Sequence, residues 1–436
     1  MFMEEIMSKA FAEMSKEELK ELQSQLNQEY QDAKGKGLAL NMARGKPSTS
    51  QLDMEMDFLD VINSESDMLT DDNTDTRNYG GMDGIPEAKK LMADILETSP
   101  ENVIVCGNAS LNIMYDTFSR AFTHGLLGNT PWCRLEKVKF LCPAPGYDRH
   151  FAICQHFGVE MITIPMTSSG PDMDLVEQWV SKDDSVKGIW CVPKYSNPQG
   201  ITYSEETVKR FAALKPAAAD FRIFWDNAYA IHHLYEDESR QDRIPDIISE
   251  CEKAGNPDMV FEFCSTSKVT FAGAGISAIA SSKANLDDMR KSMTVQTIGY
   301  DKINQLRHVR YFKDINGIKA HMMKHAALLR PKFEACEDVL ARELSGTGIA
   351  SWTTPNGGYF ISLDVMPGCA KKVVALCKEA GVTLTGAGAT YPYKNDPKDS
   401  NIRIAPSYPS PDEMAQATDL LVLCVKLAAV EQLLAV

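Results

Sequence analysis

The sequence predicts an α/β protein with a seven-stranded, mostly parallel sheet, followed by a smaller α+β domain. Seven short apolar runs alternate with polar or helical segments, which is the pattern of strands buried in a parallel sheet. The chain has 436 residues, more than one hydrophobic core usually organises. The regular alternation ends at about residue 320, where the α+β part is expected to begin. The seven apolar runs cover residues 103–106, 138–142, 161–165, 188–192, 222–226, 259–264 and 276–281.

Three segments of the chain carry sequence signals for helices. Ser15 and Glu18 form a capping box ahead of apolar residues at helical spacing, so a helix is expected over residues 15–34. A second long helical pattern covers residues 318–344. The last helix is expected to open at Ser410, which is followed by a proline in the first helical position.

Composition and charge exclude several partners. The formal net charge of -15 argues against nucleic acid or an anionic membrane surface as the main partner. No apolar run is long enough to span a bilayer, and the acidic residues 1–8 show no secretory signal. The 11 cysteines are scattered without a C-x-x-C motif, as expected in a reducing compartment. We therefore expect a cytoplasmic protein.

The most unusual stretch follows the run 259–264 and reads Ser265-Thr266-Ser267-Lys268, then a glycine-rich turn. Burying a lysine ammonium is costly unless the group is paired or neutralised. That cost is tolerated where the amine serves as a nucleophile toward a carbonyl, such as that of pyridoxal phosphate (PLP). Taken alone, this stretch is better explained by a solvated surface lysine in a loop, because lysine is common.

Other polar residues lie where predicted strands end, which is where ligands collect in such sheets. Gly107-Asn108-Ala109-Ser110 leads into a helix, and small residues at a helix N-terminus suit a phosphate. Asp226 closes an apolar strand and would need a cation there. Arg403 lies inside a strand-like run and could bind a carboxylate. Each feature also has a structural explanation: a capped turn, a helix cap or a salt bridge.

Together, and in this order, these motifs resemble the fold-type I PLP-dependent aminotransferases (class I/II, the aspartate aminotransferase superfamily). The resemblance runs from about Asn41 to the C-terminus. Further segments resemble a bacterial subgroup of aspartate aminotransferases, namely residues 44–47, 107–111 and 299–308. The superfamily motifs are residues 78–86, Pro145-Gly146-Tyr147, Asn197-Pro198-Gln199-Gly200, Asp226 with Tyr229, Ser265-x-Ser267-Lys268, residues 355–360 and Arg403.

The resemblance implies PLP as the cofactor and assigns roles around its ring. Lys268 would form a Schiff base (aldimine) with PLP and later move the substrate proton. Asp226 would pair with the protonated ring nitrogen and so keep the ring an electron sink. Asn197 and Tyr229 would hydrogen-bond the phenolic oxygen, and Tyr147 would stack on the ring.

The resemblance also implies a phosphate cradle, a shared dimer site and a substrate site. Tyr79 would reach the phosphate from the partner subunit, so a homodimer with shared active sites is expected. Arg403 would bind the substrate α-carboxylate with Asn197 nearby, and Gly45 would lie over the substrate. The phosphate cradle would consist of Asn108, Ala109, Ser110, Ser265 and Ser267.

The resemblance implies a domain division. Residues 1–50 would form an N-terminal helix and arm that join the small domain, residues 51–319 the large PLP-binding domain with helices on both faces of its sheet, and residues 320–436 the small domain.

One position departs from the family pattern. The family usually has an arginine shortly after the lysine, in Gly-x-x-Gly-x-Arg, to neutralise the phosphate. Here the matching run is Gly273-Ala274-Gly275-Ile276-Ser277. Because Ser277 brings no charge, we expect the positive charge to come from another residue or to be absent.

We therefore expect an aminotransferase that moves an amino group between aspartate and 2-oxoglutarate by a ping-pong mechanism. The open alternatives are another amino acid (alanine, aromatic, 2-aminoadipate or kynurenine), a PLP lyase or decarboxylase, and a non-catalytic PLP-binding sensor domain. A dicarboxylic substrate needs a second cation, for which Arg44, Arg149, Lys302 and Arg307 are candidates.

No metal site is expected. His321 and His325 have the i, i+4 spacing of one helix face, but the sequence offers no glutamate between them and no third ligand. We predict that they lie on a solvated face.

Overall fold

The structure is a computed structural model that describes residues 10–435. The expectation of no secretory signal concerns residues 1–8, which lie outside this range. Within it, none of the helices combines the length and the apolar character needed to cross a membrane.

Thirteen strands and thirteen α-helices make up the described chain. The strands are β1 (Leu40–Asn41), β2 (Val103–Cys106), β3 (Lys139–Ala144), β4 (Glu160–Thr167), β5 (Gly170–Pro171), β6 (Val186–Cys191), β7 (Arg222–Asp226), β8 (Val260–Ser265), β9 (Ser277–Ala280), β10 (Ala350–Trp352), β11 (Ile361–Val365), β12 (Val382–Thr383) and β13 (Asn401–Ile404). The helices are α1 (Lys16–Gly35), α2 (Thr49–Asp53), α3 (Pro86–Leu96), α4 (Ser110–His124), α5 (Asp148–His156), α6 (Met173–Lys182), α7 (Glu205–Ala212), α8 (Ile247–Lys253), α9 (Lys283–Gln296), α10 (Lys302–Phe312), α11 (Ile315–Leu344), α12 (Ala370–Glu379) and α13 (Pro411–Ala435).

The central sheet has the strand order β2-β9-β8-β7-β6-β3-β4-β5. Neighbours from β8 to β4 are parallel, and β9 is antiparallel to both β2 and β8. All seven predicted strands are present, so the prediction of a mostly parallel sheet is confirmed. The eighth strand, β5, pairs antiparallel with β4 through two residues, which is too short to leave a periodic signal in the sequence.

Apolar side chains cover both faces of this sheet and form the core of the large sheet, because successive strand residues point to opposite sides. Ile223 and Trp225 of β7 pack with buried residues of α3, α7 and α8. Phe224, between them, packs on the other face with buried residues of α4, α5 and α9. The expected helices on both faces are thus confirmed, and burial on both faces explains why the strands are nearly all apolar.

A second core joins the two ends of the chain. Leu19 and Leu26 of α1 are buried with Leu421 and Val425 of α13 and with the sheet β10-β11-β13. The strand β1 pairs parallel with β12. The N-terminal segment and the C-terminal part therefore share one α+β core, as expected.

The long helix α11 connects the two cores. Its first turns place Ile318 and Met322 in the core of the large sheet. Its later turns place Phe333 and Leu340 in the core shared by the chain ends. The helix begins three residues before its predicted start, because Asp314 accepts hydrogen bonds from the first free amides.

Candidate active site

The polar residues singled out above gather at the carboxyl edge of β2, β6, β7 and β8. Lys268 lies in a helix-like turn directly after β8. The amides of Val269 and Thr270 both donate to the carbonyl oxygen of Thr266 at 2.9 Å. This local pairing fixes the backbone on both sides of Lys268.

The Lys268 amine lies among two aromatic rings and a carboxylate. Its Nζ atom is 5.0 Å from the centre of the Tyr229 ring and 5.9 Å from that of Tyr359. Burial lowers the pKa of Lys268 below its ordinary value, although Asp226 nearby opposes the shift. A lowered pKa leaves more of the amine neutral, and therefore nucleophilic, at neutral pH.

Asp226 ends β7 and is only 3% exposed. Its Oδ2 atom accepts a hydrogen bond from Nε2 of His150 at 3.0 Å. The His150 ring in turn stacks on Trp190, with the ring centres 4.4 Å apart. The Oδ1 atom is buried and has no hydrogen-bond partner among the described residues. A buried carboxylate oxygen is costly to leave unpaired, so Oδ1 is available to a cationic donor of a ligand.

Arg403 projects from β13 toward the same edge. Its Nη1 atom donates to Asn197 Oδ1 at 3.2 Å and to Asp148 Oδ1 at 3.3 Å, and Nη2 donates to Thr385 Oγ1 at 3.2 Å. The guanidinium carbon lies 4.9 Å from the centre of the Phe360 ring. These hydrogen bonds are longer than tight charge-assisted ones. They orient the guanidinium fork and leave it able to bind a carboxylate more closely.

The loop between β2 and α4 faces the turn that carries Lys268. The Ser267 hydroxyl donates to the carbonyl of Asn108 at 3.3 Å, and that of Ser265 donates to Ser267 at 3.1 Å. Ala109 is the N-cap of α4 and Ser110 its first residue, and no side chain caps this end. The first amides of α4 can therefore bind an anion. All five predicted cradle residues lie in these two adjoining loops or at the ends of β8 and α4 next to them.

Ser277, at the place of the expected arginine, is fully buried in β9. Its hydroxyl donates to the carbonyl of Gly107 at 2.5 Å. The side chain thus ties β9 to the loop after β2.

The four candidate cations for a distal carboxylate fall into two groups. Lys302 is buried and donates to a backbone carbonyl oxygen 2.7 Å away. The Arg307 guanidinium lies 4.6 Å from the centre of the Phe58 ring. Arg44 and Arg149 are exposed to solvent. Of the four, Arg44 and Arg149 are thus the two residues that are exposed, whereas Lys302 is buried and Arg307 is half-buried.

Three further predicted residues lie around the edge of the site. Tyr147 is the N-cap of α5, and its ring meets His150 edge-on at 5.0 Å. Burial raises the pKa of Tyr147 to about 12. Tyr79 is 83% exposed. A Cβ at Gly45 would lie 2.3 Å from Cζ of Phe360, so any larger residue there would have to displace the Phe360 ring.

The prediction that His321 and His325 face solvent is wrong. They are 5% and 1% exposed, because α11 packs this face against the segment that contains Glu55. The Oε1 atom of Glu55 lies 2.9 Å from Nε2 of His321 and 2.6 Å from Nε2 of His325. The glutamate is 266 residues away in sequence from His321, so local spacing could not reveal it.

Sequence reasoning also missed His150, Thr385 and Tyr359 as site residues. His150 is the third residue of α5, and its partner Asp226 comes 76 residues later. The one available signal was a histidine on the apolar face of a short helix that directly follows a predicted site residue, Tyr147.

The parallel sheet, with a lysine after one strand beside an aspartate that ends the next strand, has the fold of the fold-type I PLP-dependent transferases. The crystal structure of an aspartate transaminase from Corynebacterium glutamicum superposes with a TM-score of 0.94. The two chains are 44% identical, and the match covers 98% of this chain and 100% of that one.

Sequence comparisons specify the family. The family model described as aspartate amino-transferase matches residues 14–436. The chain is 46% identical over 407 residues to the aspartate aminotransferase of Corynebacterium glutamicum, covering 93% of each chain. It is 47% identical over 407 residues to a Mycolicibacterium smegmatis protein named only as an aminotransferase, covering 93% of this chain and 94% of the relative. The chain belongs to the aspartate aminotransferase family, and it is an aminotransferase.

Proposed function

We propose that this aminotransferase binds PLP at the carboxyl edge of its sheet and transfers the amino group of aspartate to 2-oxoglutarate. The observation that carries the proposal is the pairing of two groups. The Lys268 amine, with its lowered pKa, lies near Asp226, and a buried oxygen of Asp226 has no partner among the described residues. An amine and an unpaired carboxylate are the two groups needed to attach an aldehyde and to hold a protonated pyridine.

The residues present fit such a cofactor. The free Oδ1 atom of Asp226 suits a pyridinium N–H, because a buried anion is stabilised by an adjacent cation. The uncapped first turn of α4 suits a phosphate. At Gly275, a Cβ would lie 3.0 Å from Oγ1 of Thr266 and 3.1 Å from the carbonyl oxygen of Asn108. A glycine there lets the two loops that would hold the phosphate approach each other.

The chemistry that PLP supplies is an electron sink for the carbanion formed when an amino acid loses its α-proton. Lys268 would hold the aldehyde carbon and, once displaced by substrate, accept and return that proton. Asp226, held by His150, would keep the pyridine nitrogen protonated. Burial raises the pKa of Tyr229 well above 10, so its hydroxyl would remain a hydrogen-bond donor to the ring oxygen, alongside Asn197.

The remaining contacts to the cofactor would come from the loops at the same carboxyl edge of the sheet. The amides and hydroxyl of the loop 108–110, with Ser265 and Ser267, would hold the phosphate. Tyr147, whose ring lies against His150, would cover one face of the pyridine. Ser277 stands at the position where the family pattern has an arginine, so the helix dipole and the hydroxyl donors would bear more of the phosphate charge than where that arginine is present.

Arg403 would bind the α-carboxylate of the substrate, with Asn197 and Thr385 orienting its guanidinium. Gly45 would leave room over the substrate. The preference for aspartate is supported by the family model and by the names of the two Corynebacterium glutamicum proteins. Either Arg44 or Arg149 would then meet the distal carboxylate, since Lys302 and Arg307 already have contacts within the protein.

We further propose a cytoplasmic homodimer in which Tyr79 completes the phosphate site of the partner. A tyrosine that is 83% exposed leaves a large apolar ring in water, and a subunit interface would cover it. We also propose the division into residues 1–50, 51–319 and 320–436. The middle range would contain the core of the large sheet, and the other two would share the core at the chain ends. Helix α11 crosses the last boundary.

The proposal is tested with the purified protein and a panel of amino donors with 2-oxoglutarate as acceptor. Aspartate should give the largest kcat/KM, and alanine, aromatic and 2-aminoadipate donors smaller values. Borohydride reduction followed by peptide mapping should place the cofactor label on Lys268, and Lys268→Ala should lose both label and turnover. A label on another lysine would refute the site, whereas a different best donor would refute only the substrate.

A further inference from the structure

We propose that Glu55 is a positioning residue for Lys268 and acts through two buried histidines. His321 contacts the Lys268 turn, and His325 contacts Gln51, which binds the neighbouring Tyr359. This inference rests on the proposed function of Lys268, but its structural part can be tested without turnover.

The cluster lies directly behind the Lys268 turn. Glu55 is fully buried, and its Oε1 atom meets Nε2 of both His321 and His325. Nε2 of His321 also lies 3.0 Å from the carbonyl oxygen of Val269, the residue that follows Lys268. His321 therefore connects helix α11 to the backbone that carries the amine, and Glu55 holds this histidine in place.

A second branch leads to Tyr359, whose ring lies beside the amine. Gln51 donates from its Nε2 atom to Nδ1 of His325 at 3.0 Å and to the hydroxyl oxygen of Tyr359 at 3.1 Å. The Oε1 atom of Gln51 accepts from the amide of Ser48 at 3.0 Å. This capping contact fixes which end of the Gln51 amide faces His325.

The tautomers of both histidines follow from these partners. Nδ1 of His325 accepts from Gln51, so its proton is on Nε2 and is donated to Glu55. Nε2 of His321 lies close to two acceptors, Oε1 of Glu55 and the carbonyl oxygen of Val269, and 3.1 Å from Nε2 of His325. A proton on Nε2 of His321 satisfies the two acceptors, so we assign it to that atom. Burial alone would raise the pKa of Glu55, but the hydrogen bonds from the two histidines outweigh it and lower that pKa. An anionic Glu55 accepting two N–H groups accounts for the cluster.

The same assignment argues against a metal ion. The ligand atoms of Glu55, His321 and His325 all lie within 4.8 Å of one another, which is a spacing that a cation could bridge. A metal would need the lone pairs of both Nε2 atoms, however, and in the tautomers assigned above these atoms carry protons. Because the three ligand atoms are close enough to share one ion, a bound metal is the competing explanation that the experiment must exclude.

The test uses His321→Leu, which removes the donor, and His321→Gln, whose amide nitrogen can replace it. Backbone hydrogen exchange of residues 266–270 is measured in the full-length protein as isolated. We expect exchange about tenfold faster in the leucine variant, as for the loss of one buried hydrogen bond, and near wild type in the glutamine variant. Glu55→Gln should resemble the leucine variant, and it covers the case in which His321→Leu does not fold.

Turnover provides the second readout. A misplaced amine should lower kcat about tenfold in His321→Leu and Glu55→Gln, with KM within about twofold, because the substrate carboxylate site is untouched. The matched control is Glu343→Gln, which removes an ion pair with Lys426 at the other end of α11, about 27 Å from His325 at 1.5 Å per residue. It should change neither the exchange of residues 266–270 nor kcat.

Two results would overturn the proposal. One is unchanged exchange at residues 266–270 in folded His321→Leu and Glu55→Gln. The other is binding of one equivalent of Co²⁺ or Zn²⁺ that is lost in Glu55→Gln, which would make the cluster a metal site. Neither result depends on whether aspartate is the substrate or PLP the cofactor.

Discussion

His150 donates from Nε2 to Oδ2 of Asp226 at 3.0 Å, while its ring is stacked 4.4 Å from that of Trp190. One oxygen of Asp226 is thereby fixed, and the other is left for the ligand. The stacking matters because it sets the plane of the imidazole and hence the direction of its N–H group.

The first prediction concerns this pair. His150→Phe keeps a ring against Trp190 but removes the donor, leaving a second buried oxygen of Asp226 unpaired at a cost of about 1–3 kcal/mol. We expect cofactor affinity to fall by about 10- to 100-fold and kcat to fall with it. The measurement is cofactor release by dialysis or fluorescence titration. His150→Asn keeps a hydrogen-bond donor on a shorter side chain and should lose less cofactor affinity. Equal cofactor affinity in wild type, His150→Phe and His150→Asn would contradict the role of His150 in holding Asp226.

The second prediction concerns substrate binding. Arg403→Ala should raise KM for the amino acid and for the 2-oxo acid alike, because both carry an α-carboxylate. Charge-assisted hydrogen bonds of about 1.5–3 kcal/mol correspond to roughly a 10- to 100-fold change. Arg403→Lys should recover only part of the lost substrate affinity, since an ammonium cannot bind both carboxylate oxygens as a guanidinium does. Thr385→Ala removes one hydrogen bond to the guanidinium and should raise KM less than Arg403→Ala. An unchanged KM in Arg403→Ala would mean that the substrate carboxylate binds elsewhere.

The third prediction concerns the shared active site. Lys268→Ala and Tyr79→Phe should each reduce activity as separate proteins. In a mixed dimer, one site carries both changes and the other carries neither, so activity should return on co-refolding or subunit exchange. Lack of recovery despite verified mixed dimers would mean that Tyr79 serves its own subunit.

The fourth prediction concerns pH and stability. Burial, reinforced by the neighbouring Glu334, raises the pKa of Glu337 on α11 to about 7. Because the folded state then binds more protons than the unfolded state, this group stabilises the fold at low pH. That stability is lost as pH rises from about 4.5 to 7. Glu337→Gln should therefore match wild type near pH 4 and exceed its free energy of unfolding by about 1 kcal/mol at pH 8, after discounting for partial exposure.

Thermal or denaturant unfolding at the two pH values measures this difference. Glu21→Gln, at an exposed position of α1, is the control and should show no such pH dependence. A variant less stable than wild type at pH 8 would show that the Glu337 carboxylate is stabilising when charged.

The predictable part of the fold was local in sequence. Strands buried on both faces, such as β6 and β7, leave continuous apolar runs, and the motif around Lys268 is contiguous. Contacts between distant segments left no such trace. The pairing of His150 with Asp226 and the burial of His321 by Glu55 depend on packing that no local pattern encodes. For the same reason, spacing alone suggested a solvated face for a pair of histidines that are buried.

Because the chain is made from its N-terminus, the core shared by its two ends can form only late in synthesis. Leu19, Leu26 and Tyr30 of α1 find their covering side chains in α13, which is synthesised last. At about 5–20 residues per second, α1 waits roughly 20–80 seconds with its apolar stripe uncovered, while the large sheet can already assemble. Helix α1 is thus made early but is among the last of the described helices to be buried, and in the cell a chaperone would have a long opportunity to bind there.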